Sequence, residues 1–161
     1  MKTLKDLEEK EAILFFEKAA ELAENASCLR DKCGSIIVSK NEIIGYGFNS
    51  PPGNLESQRR CINSKEMYHS RVKDKTCCIH AEQRAVINAL EKNPSKIKGS
   101  KIYFMRLDKF GKMTKAGKPY CTLCSKIVLD AGVSEFILWH EEGIVAYTAE
   151  EYNQRSFEYQ E

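Results

Sequence analysis

The sequence predicts an α/β protein: a three-layer α/β/α sandwich around a mixed five-stranded sheet. Three observations predict it. Helical and extended periods alternate along the chain, as in sheets covered by helices on both faces. Residues 101–105, 121–131 and 135–139 read as strand, helix and strand, a crossover that makes the two strands parallel. The short turn Glu141-Glu142-Gly143 then permits only an antiparallel partner for the next apolar run, 144–147, so the sheet is mixed.

The elements follow in order. Between residues 4 and 27, Leu7, Leu14, Phe15, Leu22 and Ala26 recur near a 3.6 period in a background of Ala, Glu, Lys and Leu, which favours a helix with those residues facing the core. The runs 35–38 and 42–48 flank the polar pair Lys40-Asn41 and read as a hairpin. Residues 49–77 are the least regular part; Pro51-Pro52-Gly53 rules out a regular element there. A loop of that length inside a compact domain is functional or tied down. Ala81, Ala85, Val86, Ala89 and Leu90 form the stripe of a second helix, stopped by Asn93-Pro94. After the strand 101–105 comes the Gly/Lys-rich stretch 107–118, then a helix stopped by Gly132. Thr148 with Glu151 reads as a capping box that opens a final short helix.

Composition narrows the class. The chain has 161 residues, read as one domain spanning 1–161, large enough to bury a core without disulfides. Lys and Arg number 25 against 23 Asp and Glu, a net charge of +2, which disfavours a nucleic-acid binder with a strongly basic face. No apolar run approaches the roughly 18 residues of a membrane span. The N-terminus has no apolar segment of the secretory kind. Seven cysteines in such a chain fit reduced, partly metal-holding thiols in the cytoplasm better than disulfides.

Two stretches carry chemistry: Cys78-Ile-His80-Ala-Glu82 and Pro119-Tyr-Cys121-Thr-Leu-Cys124. His80, Cys121 and Cys124 are soft ligands suited to Zn²⁺, and three protein ligands leave a fourth position open, as catalytic zinc sites require. Each motif opens a helix. The i, i+3 spacing sets both sulfurs on one face, and the helix N-termini favour thiolates. Zinc there would lower the pKa of its water to about 7. Glu82, two residues from His80, is placed to carry protons without binding the same metal.

His-x-Glu followed by Pro-Cys-x-x-Cys is the signature of zinc nucleobase deaminases. The chain resembles the cytidine/deoxycytidylate deaminase superfamily, although Tyr120 separates Pro119 from Cys121. The resemblance extends over residues 28–92: Cys33-Gly-Ser-Ile-Ile-Val, then Gly45-Tyr-Gly-Phe-Asn49-Ser-Pro-Pro-Gly53, a Cys/His-containing insertion, and His80-Ala-Glu-Gln. This front half is most similar to the deoxycytidylate branch. The antiparallel hairpin expected at 139–147 is instead like the free-cytidine enzymes. Arg84 stands where these enzymes usually carry Asn.

The resemblance implies a cytidine-deaminase-like fold, one catalytic zinc on His80, Cys121 and Cys124, and Glu82 as proton carrier. It implies that Asn49 meets the sugar or base edge and that the Ala81 N–H faces the cytosine carbonyl. It implies a cytosine nucleotide or nucleoside as substrate, dCMP foremost, with Arg30, Arg59, Arg60, Arg71 and Lys73 as candidate phosphate partners. A second, structural zinc is implied on Cys28, Cys61, His69 and one of Cys77 and Cys78. A homo-oligomer is expected, with no nucleic-acid or membrane partner. Two other functions stand beside this one: a nucleic-acid-editing deaminase, and a non-catalytic zinc module that would have no use for Glu82. Trp139 is read either as a base-stacking residue or as core, and His140 as a surface residue.

Overall fold

The computed structural model describes residues 1–160. Its elements are β1 Lys2–Thr3, α1 Asp6–Ala23, β2 Lys32–Ser39, β3 Glu42–Phe48, α2 Ala81–Lys92, β4 Lys101–Leu107, β5 Met113–Thr114, α3 Thr122–Asp130, β6 Glu135–His140, β7 Gly143–Thr148 and α4 Ala149–Phe157. The strand order is β1-β7-β6-β4-β2-β3, with β5 paired to β4. β4 and β6 are parallel, and β7 runs antiparallel to β6. The fold is the expected α/β/α sandwich, but its sheet has seven strands, not five. The two extra strands, β1 and β5, are two residues each, too short to leave a period in the sequence. The β2–β3 hairpin turns through Lys40 and Asn41, both at positive φ (48° and 62°), the geometry that matches strand twist.

α1 covers one face of the sheet, and its period is as expected, but its buried face is not. Ala12, Phe16, Ala19 and Ala23 are buried, whereas Leu7 is 74% exposed and Leu14 61%. The reason is close approach. A Cβ on Gly34 of β2 would stand 1.9 Å from the Ala19 carbonyl oxygen, so the helix rests its alanines on the strand. Phe16 then fills the cluster with Ile36, Tyr103, Ile137 and Ile144.

α2 and α3 cover the other face around Ile102, Val86, Val128 and Phe136. Tyr152 of α4 stacks on Phe136 with ring centroids 3.8 Å apart. Leu90, expected in the α2 stripe, is 45% exposed; Ala81, Ala85, Val86 and Ala89 are buried as expected. At α4 the capping box is half formed. Thr148 accepts from the Glu151 N–H at 3.1 Å, but the Glu151 carboxylate turns to the N-terminal ammonium and Arg155.

Candidate metal and active site

The site forms where α2 and α3 begin. Gly47 lets α2 lie directly on β3: a Cβ there would come within 2.5 Å of the Ala81 carbonyl oxygen. The segment before α2 is pinned by the Ile79 N–H donating to the Ser50 carbonyl at 3.0 Å. The His80 N–H donates to Gln83 Oε1 at 3.0 Å, which fixes the turn that aims the imidazole. Cys121 is the N-cap of α3 and Cys124 lies in its first turn, buried.

His80 Nδ1 lies 3.2 Å from Cys124 Sγ and 3.3 Å from Cys121 Sγ. The three ligand atoms lie within 4.8 Å of one another, and no fourth His, Cys, Asp or Glu joins them among the described residues. One imidazole and two sulfurs with no closing ligand is a donor set that fits zinc with an open position.

The electrostatics follow from the crowding. A hydrogen bond from Cys124, seconded by His80, pulls the Cys121 thiol down to about 4. The hydrogen bond to Cys121 in turn lifts His80 to about 9. The shifts favour the proton on His80 over Cys121, and metal binding would displace it. Glu82, buried at the second position of α2, is pushed up to about 7 by desolvation first and the Cys121 charge second.

A cavity of about 300 Å³ opens on these residues. His80, Ala81, Glu82 and Cys121 line it, as do Asn49, Phe104 and Tyr120. Asn49 also has a structural duty: its Oδ1 accepts from the Cys33 N–H and its Nδ2 donates to the Asp31 carbonyl, both at 2.8 Å. The amide retains one hydrogen and one lone pair for a ligand. The Ala81 N–H belongs to the first turn of α2, where the helix supplies no acceptor.

Of the cations expected near a phosphate, Arg30 and Arg60 line the cavity. Arg71 and Lys73 do not, and Arg59 is held by Glu56. Lys75 lines it and had no distinguishing sequence signal, sitting in a polar run of the insertion. Arg84 donates to the Ser50 and Pro51 carbonyls at 3.3 and 3.2 Å, so it braces the loop after β3.

The insertion folds as short 3-10 turns at Pro52–Asn54, Glu56–Gln58 and Lys65–Met67. Cys28, Cys61 and Cys78 converge within 4.8 Å of one another. His69 does not join them: its Nδ1 accepts from the Arg71 N–H at 3.1 Å. Of the adjacent pair, Cys78 turns to the group, whereas Cys77 Sγ accepts from the Arg60 N–H at 2.9 Å. His140 is half-buried, with both ring nitrogens bonded. Its Nδ1 donates to the Ala116 carbonyl at 3.0 Å and its Nε2 accepts from Tyr147 at 2.9 Å.

A helix-capped sheet with a three-ligand soft-donor group at two helix N-termini is a site that fits a zinc ion with one position open. The family model for the cytidine and deoxycytidylate deaminase zinc-binding region matches residues 9–140. The chain belongs to that family. Among solved structures it is similar to the dCMP deaminase of cyanophage S-TIM5, solved in complex with dCMP and dUMP: 23% identity, TM-score 0.54, 83% of this chain and 82% of that one. It is also similar to a cytidine deaminase from Burkholderia pseudomallei, at 16% identity and TM-score 0.55, over 87% of this chain and 94% of that one. No curated protein matches the sequence. No helix among the described residues is long and apolar enough to cross a membrane.

Proposed function

We propose that the chain is a zinc-dependent hydrolytic deaminase that converts a cytosine nucleotide, dCMP foremost, to its uracil form with release of ammonia. His80, Cys121 and Cys124 hold the metal. Zinc bound there supplies an activated water at neutral pH. Glu82 would carry one proton of the water to ring N3 and its second proton to the amine, which leaves poorly unless protonated. The Ala81 N–H meets the ring carbonyl, and the free donor and acceptor of Asn49 meet the sugar. Arg30, Arg60 and Lys75, on the wall of the same cavity, attract the phosphate.

The observation that carries this reading is the Glu82 carboxyl, buried against the ligand group at the wall of a nucleotide-sized cavity. A purely structural zinc would leave no reason to bury it there. The neighbouring structure's ligands, dCMP and dUMP, support the nucleotide. The antiparallel β7, like that of free-cytidine enzymes, supports a nucleoside as the second reading. Ammonia release from cytosine, cytidine, deoxycytidine, CMP, dCMP, guanine and adenosine tests both. Deoxycytidine turned over as fast as dCMP would remove the phosphate from the reading; no turnover of any of them would end it.

A second, structural zinc belongs to the same proposal, now on Cys28, Cys61 and Cys78 without His69. The Cys61 thiol is set at about 7: burial opposes its ionisation, but the Leu29 backbone and the thiols of Cys77 and Cys78 overcome that. Cys77, whose thiol also bonds Cys61, is a candidate for a fourth ligand. Metal analysis should find two zinc ions per chain, and one in Cys61→Ser with the site at His80 intact. One zinc in fully loaded wild type would refute it.

A further inference from the structure

The thiols of the second group share a wall with the substrate cavity. Cys28, Cys61 and Cys78 line it together with Arg30, Arg60 and Lys75, the three cations assigned to the phosphate. The chain sets each cation beside a sulfur. Arg30 follows Cys28 by two residues, Arg60 directly precedes Cys61, and Lys75 precedes Cys77 by two. Three separate stretches therefore each deliver a cation and a thiol: the one after α1, the middle of the insertion, and the one before α2. None of the three cations pairs with a carboxylate among the described residues, whereas Arg59 beside them is taken by Glu56.

The bonds that join these stretches end on sulfur. The Leu29 N–H bonds Cys61, and the Arg60 N–H donates to Cys77 Sγ at 2.9 Å. The Cys78 thiol bonds that of Cys28 and lies 3.7 Å from Cys61 Sγ. Thiols are weak partners in such bonds. Apolar burial adds little, since Ile62 is 85% exposed and Leu29 64%. An ion shared by Cys28, Cys61 and Cys78 would close the three stretches at one point. The cations beside the sulfurs would then be ordered before a ligand arrives, which lowers the cost of each charge-assisted bond to a phosphate. The pyrimidine end is fastened separately, by the Ile79 N–H on the Ser50 carbonyl and by Gln83 on the His80 N–H. On the structural zinc and the nucleotide substrate proposed above, both of which this inference needs, we infer that the thiol group governs phosphate recognition. With its ion bound, Arg30, Arg60 and Lys75 form one site for the phosphate monoester; without it, the cavity loses its preference for nucleotide over nucleoside. The coupling is reciprocal: phosphate must tighten the ion by the factor by which the ion tightens phosphate.

The test compares kcat/KM for dCMP and deoxycytidine in zinc-loaded wild type and Cys61→Ser. The ratio of nucleotide to nucleoside should fall about tenfold or more in the variant, within the range typical of coupled sites. Arg60→Gln should lower the same ratio in wild type and lower it far less in Cys61→Ser, because the site it belongs to is already loose. A readout independent of turnover and of the variant's folding comes from wild type alone. Saturating dUMP, compared with saturating deoxyuridine, should raise by about tenfold the chelator concentration that extracts the second zinc. Two zinc ions falling to one in Cys61→Ser with an unchanged ratio overturns the inference and leaves the structural zinc standing. Equal chelator concentrations with dUMP and deoxyuridine overturn it as well, as does full additivity of Arg60→Gln with Cys61→Ser. One zinc in fully loaded wild type refutes the structural zinc, and a wild-type ratio near one refutes the phosphate; each takes the inference with it.

Discussion

Glu82 is where burial and chemistry meet. In the metal-free protein, burial first and the Cys121 charge second raise the Glu82 carboxyl to about 7, and a carboxyl so raised suits proton exchange at neutral pH. Glu82→Gln should keep its zinc and lose activity by about 10²–10⁴-fold or more, since the proton carrier goes while the ligands stay. Activity within a few-fold of wild type would remove Glu82 from that role. The same burial has a cost in the metal-free protein. The folded carboxyl binds its proton up to about 7, against a reference of 4.5, so the folded state holds more protons than the unfolded one between those values. Stability from this group is complete below 4.5 and is lost as pH rises through 7; the shift amounts to about 3 kcal/mol. Metal-free Glu82→Gln should therefore gain more stability over wild type at pH 8 than at pH 5, read by urea unfolding. Equal gains at both pH values would contradict it. Cys124→Ser should lose the metal, which mass spectrometry under native conditions would show. Retained stoichiometry would mean that another ligand set holds the ion.

At the scale of elements, glycines decide where helices sit. Gly34→Ala drives a methyl into the Ala19 carbonyl, so α1 must lift from the sheet. Overpacking of this kind costs about 1–3 kcal/mol, and the midpoint of denaturation should fall accordingly. Residues 81–92, 101–107 and 135–140 were legible to within two residues, because long segments with unbroken periods depend little on what packs against them. The face of α1 was not. Leu7 and Leu14 share the helical period with Phe15 and Leu22, and only contact with Gly34 selects the alanine face instead.

Across the whole molecule, the insertion is held by side chains and not by a core. Ile62 and Met67 are exposed, and the convergent cysteines draw on α1's end, the insertion and the segment before α2. If metal ties these together, chelation should loosen that region alone. Hydrogen exchange in residues 55–78 should accelerate when zinc is removed, while β2, β4 and β6 stay protected by the cores on both sheet faces. Uniform acceleration across the sheet would point to a global role for the metal. No change would point to an insertion held without it.

The sequence by itself determined the α/β/α sandwich and the mixed sheet, because periods are local properties of the chain; the grouping of His80 with Cys121 and Cys124, 41 and 44 residues away, rested on the resemblance to the deaminase signature, and the fold brings the three together. Only the tertiary structure decided which groups meet across it. His69 lies in the insertion yet turns to its own backbone, Lys75 enters the cavity, His140 bridges Ala116 and Tyr147, and the 107–118 segment becomes a pocket wall. Each of these depends on contacts between residues distant in sequence or on how an irregular loop closes, and neither leaves a period to read.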